Sequence, residues 1–146
     1  MAIRAAVVGM GPVGLCCVQL LREAGVGVVV VDSVEAREMR SLVRLFKRLL
    51  VTTCFGGEVP AGRFDLVVRT PVVGVQGLVE ARVKGGRVVG PEGLLDLMGE
   101  GNAFGPRLRV LLEYVRAHPE VAVAKDHGQL GNELLRFQRG AMGAGR

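Results

Sequence analysis

The chain has 146 residues, 49% of them hydrophobic, with a mean hydropathy of +0.36 and a formal charge of +5. This bounds it to one domain with ample apolar mass for a core and excludes a disordered chain. No run reaches the roughly 20 apolar residues that span a bilayer, and the charge favours anionic ligands without choosing between phosphates and nucleic acid.

In chain order, "IRAAVVG" (3–9) reads as a first strand, and Pro12 suits the first position of a helix running to about residue 24. The apolar set of that helix is Val13, Cys17, Leu20 and Ala24, with Gln19, Arg22 and Glu23 elsewhere on it. "VGVVVVD" (26–32) is a β-branched second strand. A helix over 34–49, a strand over 50–55 and the loop "GGEVPAGR" follow. "FDLVVRT" (64–70) is a fourth strand ended by Pro71, and a short helix over 75–83 precedes a fifth strand at 85–90. Helices over 92–98 and 106–117, a sixth strand at 120–124 and a helix at 129–139 complete a single domain over 1–139. A frayed tail, 140–146, closes it. Strands alternating with helices predict an α/β fold, a doubly wound parallel sheet of order 3-2-1-4-5-6 in a Rossmann-type three-layer sandwich.

The stretch with the most chemistry is "VVGMGPVGLCCVQLLREAGVGVVVVDS" (7–33). Gly9, Gly11 and Gly14 lie between strand and helix, and Asp32 closes the next strand 18 residues after Gly14. Gly9 permits a tight turn, Gly11 lets a pyrophosphate approach the backbone, and Gly14 lets the helix pack on the sheet. The helix start offers amide donors and partial positive charge to phosphates. Asp32 can accept hydrogen bonds from a ribose diol, which favours NAD over NADP. The first arginine after it, Arg37, is a turn further on. The cofactor contacts expected from this stretch are Gly9, Met10, Gly11, Pro12, Val13, Gly14, Asp32 and Ser33, with Thr70 and Pro71 at the end of the fourth strand; Gly74 is a further candidate.

"GMGPVGL" and "VVVVDS" together resemble the cofactor-binding domain of medium-chain alcohol dehydrogenases, and "FDLVVRT" with "VKGGRVVG" is similar to its fourth and fifth strands. The resemblance implies an NAD-binding domain of an oxidoreductase. Flavin-dependent monooxygenases open on a similar motif. Mur ligase N-terminal domains are also similar, in "VVGMGPVGL", "DLVVRTP" and "VVGPEGLLDL", and would imply a uridine nucleotide as ligand. The sequence departs from the Mur pattern in lacking a Gly after Pro71 and a later P-loop.

No catalytic residue follows from the sequence, and no metal site. Cys16 and Cys17 are neighbours on a helix, about 100° apart, and read as core. Cys54 ends a strand without an evident basic partner. With three cysteines no disulfide framework emerges, and a reducing cytoplasm is expected. A signal peptide is disfavoured because Pro12 and three glycines interrupt the apolar region. Asp126 and His127 follow the sixth strand, where ligands gather in such sheets, although a helix cap and an exposed histidine are the plainer reading. His118 reads as a surface residue. Arg37, Arg40, Arg44 and Lys47 form one stripe, read as a solvated face, since no aromatic stacking residues or reader motif accompany it. The reading is therefore a dinucleotide-binding domain whose substrate half is supplied by another segment or subunit. A homo-oligomer is left open, and a nucleic-acid or membrane partner is not expected. The alternatives are a non-catalytic regulatory module and a Mur-like uridine nucleotide domain.

Overall fold

The computed structural model describes residues 3–9, 11–32, 40–56, 63–70, 86–99 and 101–118. The helices expected at 75–83 and 129–139, the strand at 120–124 and the tail lie outside them. So do Met10, Ser33, Arg37, Pro71, Gly74, Asp126 and His127.

Five parallel strands form one sheet: β1 (Arg4–Val8), β2 (Gly27–Val31), β3 (Thr52–Cys54), β4 (Leu66–Arg69) and β5 (Val88–Val89). Their order is β3-β2-β1-β4-β5. Central β1 pairs with β2 in the register Val7↔Val30 and with β4 in the register Val7↔Val68. Strands covered on both faces need apolar residues at every position, and β1 and β2 supply them. One face carries Ala5, Val7, Val28, Val30, Leu66 and Val68; the other carries Ala6, Val8, Val29, Val31 and Val67. All of these are buried, and each such valine contributes about 1.5–3 kcal/mol.

The helices are α1 (Pro12–Glu23), α2 (Arg40–Arg48), α3 (Pro91–Met98) and α4 (Gly105–Ala117). Leu15, Leu20, Phe46, Leu94 and Leu108 from all four join the first of the two sheet clusters. α1 also packs against α3 and α4. This changes the expected pattern of α1. A narrow stripe of Val13, Cys17 and Leu20 was to face inward. Instead positions 13–21 are all buried, while Ala24 is exposed. A helix between a sheet and two further helices has no polar side left for most of its length.

The second correction is at Leu50, expected to open β3. It adopts φ 59° and ends α2 instead. The Leu50 amide donates to the Lys47 carbonyl at 3.1 Å and the Val51 amide to the Phe46 carbonyl at 2.8 Å. This pair of bonds is a Schellman end, which normally has glycine at the left-handed position. β3 starts two residues later, at Thr52.

Candidate functional site

The carboxyl ends of β1, β2 and β4 meet where the sheet reverses its building direction: β2 and β3 extend it to one side of β1, β4 and β5 to the other. Open α/β sheets form their ligand crevices at such a reversal.

Gly9 leaves β1 at φ 89°, a conformation that a side chain disfavours, and its amide donates to the Val31 carbonyl at 2.9 Å. That bond extends the β1–β2 register by one residue and sets Asp32 beside the turn. Gly11 is the N-cap of α1, with no side chain to cap it, and its carbonyl accepts the first helical bond from the Leu15 amide at 3.0 Å. Pro12 has no amide hydrogen, so the amides of Val13 and Gly14 are the first donors of α1 without an intrahelical acceptor. No acidic side chain occupies the first turn. The local field is that of an uncapped helix start, positive and suited to an anion.

On the other side, Thr70 is buried, and its hydroxyl lies 2.7 Å from the Gly9 carbonyl and 3.0 Å from the Val8 carbonyl. One hydroxyl proton serves one of these at a time, and the shorter contact favours Gly9. The Thr70 amide donates to the Val8 carbonyl at 3.1 Å. Thr70 thus ties the glycine turn to the end of β4. Sequence reasoning placed it near the cofactor but missed this bond, because nothing in "RTP" signals a partner 61 residues away.

Asp32 is 1% exposed, and its amide donates to the Cys54 carbonyl at 3.1 Å. Its position at the end of β2 is the expected one. At this burial a ribose hydroxyl meets its oxygens only after a local opening. The structure therefore brings Gly9, Gly11, Pro12, Val13, Gly14, Asp32 and Thr70 to one edge of the sheet.

The thiols do not add chemistry to this edge. Burial pushes the Cys16 thiol up to about 12, against the opposing pull of the Arg107 charge. Cys17 is raised well above its ordinary value by burial and then by Cys16. Both are protonated at neutral pH, and Cys16 points its sulfur at the Phe104 carbonyl, 3.7 Å away. They are core residues, as their helical spacing suggested. Arg40, Arg44 and Lys47 are exposed, in keeping with a solvated face. His118 caps the end of α4, stacked on Tyr114 at 4.4 Å.

Among the described residues no group of three or more His, Cys, Asp or Glu is placed to hold a metal ion, and no helix is long and apolar enough to cross a membrane. Comparison with known proteins returned no matching family model and no matching curated relative.

Proposed function

We propose that the chain binds NAD at the carboxyl edge of its sheet, as the cofactor domain of an oxidoreductase. The observation that carries this reading is the β1–turn–α1–β2 unit. It combines a left-handed Gly9, an α1 with no side-chain cap whose Val13 and Gly14 amides have no intrahelical acceptor, and Asp32 beside the turn on the next strand. The strand order is the 3-2-1-4-5 part of the doubly wound Rossmann order, which supports the same reading. Three cysteines without a disulfide fit a cytoplasmic setting.

The residues present suit the cofactor. The amides of Val13 and Gly14 would hold the pyrophosphate, and the absent side chain of Gly11 leaves it room. Asp32 would hold the adenosine ribose. Bound NAD supplies hydride transfer; the described residues bind and orient it. The substrate and the groups that exchange protons with it would come from another segment or subunit.

Titration calorimetry with NAD, NADP, FAD and a uridine diphosphate sugar tests this. NAD is expected to bind tightest and NADP at least tenfold more weakly, because the 2′-phosphate meets the Asp32 carboxylate. Asp32→Ala should weaken NAD and narrow that gap, since each charge-assisted hydrogen bond contributes about 1.5–3 kcal/mol. Gly11→Val should weaken NAD at least tenfold, about 1.4 kcal/mol, while the fold survives. Binding of the uridine nucleotide alone would replace this reading with the Mur-like one. Unchanged NAD affinity in Gly11→Val would make the turn structural only.

A further inference from the structure

α2 carries four basic residues, Arg40, Arg44, Lys47 and Arg48, and no acidic one. One nine-residue helix thus holds almost as much charge as the formal excess of the whole chain, +5. At 100° per residue the four fall within an arc of about 100°, and all four are exposed. Val43, Leu45 and Phe46 take the other side and pack on the core.

Exposure alone fits a solvated face, but the placement of these charges goes further. Arg40, Arg44 and Arg48 follow one another at i and i+4. Like charges at this spacing destabilise a helix, so the stripe works against the fold that carries it. Its four cations span about 12 Å of helix axis. Over that length one strand of duplex DNA carries about three to four phosphates. Three of the four are arginines, whose planar fork pairs with phosphate in bidentate fashion. The stripe therefore matches a row of phosphates in number and in length.

Other polyanions fit less well. A helix held on an anionic lipid surface inserts the apolar face that lies opposite its basic one. In α2 that face is taken by the core, with Phe46 fully buried. Single strands are held by exposed aromatic side chains, and Phe46 is the one aromatic residue of α2. Duplex RNA has a narrow major groove, whereas that of B-form DNA, about 12 Å wide, admits a helix. The lack of stacking residues and of a reader motif bears on single strands and on base recognition; contact with phosphates along a duplex needs neither.

We propose that the outer face of α2 binds the phosphate backbone of double-stranded DNA, independently of base sequence, through Arg40, Arg44, Lys47 and Arg48. The proposal does not rest on the nucleotide reading, which concerns the glycine turn, Asp32 and Thr70.

The test is fluorescence anisotropy of a labelled DNA duplex titrated with the full chain at several salt concentrations. Saturation is expected with Kd of about 10⁻⁴–10⁻⁶ M near physiological salt. Four phosphate contacts give a slope of log K against log salt of about −3.6, a loss of about 100-fold between 50 and 200 mM salt. Arg40→Gln, Arg44→Gln, Lys47→Gln and Arg48→Gln should each make the slope shallower by about 1. Arg44→Gln should at the same time leave Tm unchanged or raise it, since it relieves the repulsion on both sides. Arg87→Gln is the control: this exposed arginine lies just before β5, at the opposite edge of the sheet, and its loss should leave the slope unchanged. Absence of saturable binding to the duplex would overturn the proposal. So would a slope indifferent to the four substitutions, or an equal change in Arg87→Gln. Tighter binding to phosphatidylserine vesicles, to single-stranded DNA or to duplex RNA than to the DNA duplex would overturn it as well.

Discussion

α1 and α2 end in the same way with different residues. After α1, the Gly25 amide donates to the Arg22 carbonyl and the Val26 amide to the Leu21 carbonyl, both at 3.0 Å. After α2, Leu50 and Val51 make the same two bonds to Lys47 and Phe46. In each case an apolar pair, Val26 with Leu21 or Val51 with Phe46, is buried at the closing position. The left-handed residue is Gly25 at φ 79° in one and Leu50 at φ 59° in the other. The apolar pair and the two hydrogen bonds therefore set this helix end. Glycine lowers its cost but is not required for it.

Removing the apolar closure is expected to do the most damage. Phe46 is fully buried, and Phe46→Ala should cost about 3–5 kcal/mol in urea denaturation. A cost near 1 kcal/mol would mean that the hydrogen bonds alone hold the end of α2. Next comes Arg22, which joins the two ends by donating to carbonyls beyond both helices. Arg22→Met keeps the stem and removes the donors, and should cost about 1.5–3 kcal/mol by the same measurement. A loss below 0.5 kcal/mol, on the order of an exposed pair, would show the ends to be independent.

The smallest effects concern the left-handed residue itself. A Cβ on Gly25 would meet nothing within 4 Å, so Gly25→Ala isolates backbone strain and should cost about 1 kcal/mol. Leu50→Gly should do the reverse and stabilise the chain by about 0.5–1 kcal/mol, the gain reduced by the freer unfolded backbone. If both variants shift stability in the same direction, the two ends are not equivalent.

The same comparison explains what the sequence reveals. Gly25 marks the end of α1 plainly, and α1 was placed to within a residue. Leu50 carries no such mark. In a run reading "RLLVTTCF" it looks like the start of a strand, and only the hydrogen bonds to Lys47 and Phe46 show otherwise. The glycine turn was legible because the left-handed backbone at Gly9 favours glycine, and Asp32 was legible by its position at the end of β2. Thr70 was legible by position but not by role, since its partner is set by the β1–β4 pairing. Gln19 read as a polar-face residue of α1. Its burial depends on how α2 and Phe104 close around that helix, which no local pattern encodes.

The central place of β1 has a consequence for the order in which the chain assembles. Its pairing with β2 closes a loop of modest length, Ala5 to Val28, through α1. Its pairing with β4 joins Ala5 to Leu66, across α2 and β3. Loop closure costs more entropy as the loop lengthens, and distant parallel pairings form slowly. The first βαβ unit can therefore form before β4 arrives, with the other edge of β1 still bare. During that interval the strand "RAAVV" presents unpaired backbone and an apolar surface, the features that invite association between nascent chains. Pairing with β4 ends the interval, and two further bonds close the ladder at its ends: Arg4 with Asp65, where the amide donates to the carboxylate at 2.9 Å, and Thr70 with the glycine turn. The threonine that holds the candidate site in shape is thus also one of the residues that seals the exposed edge.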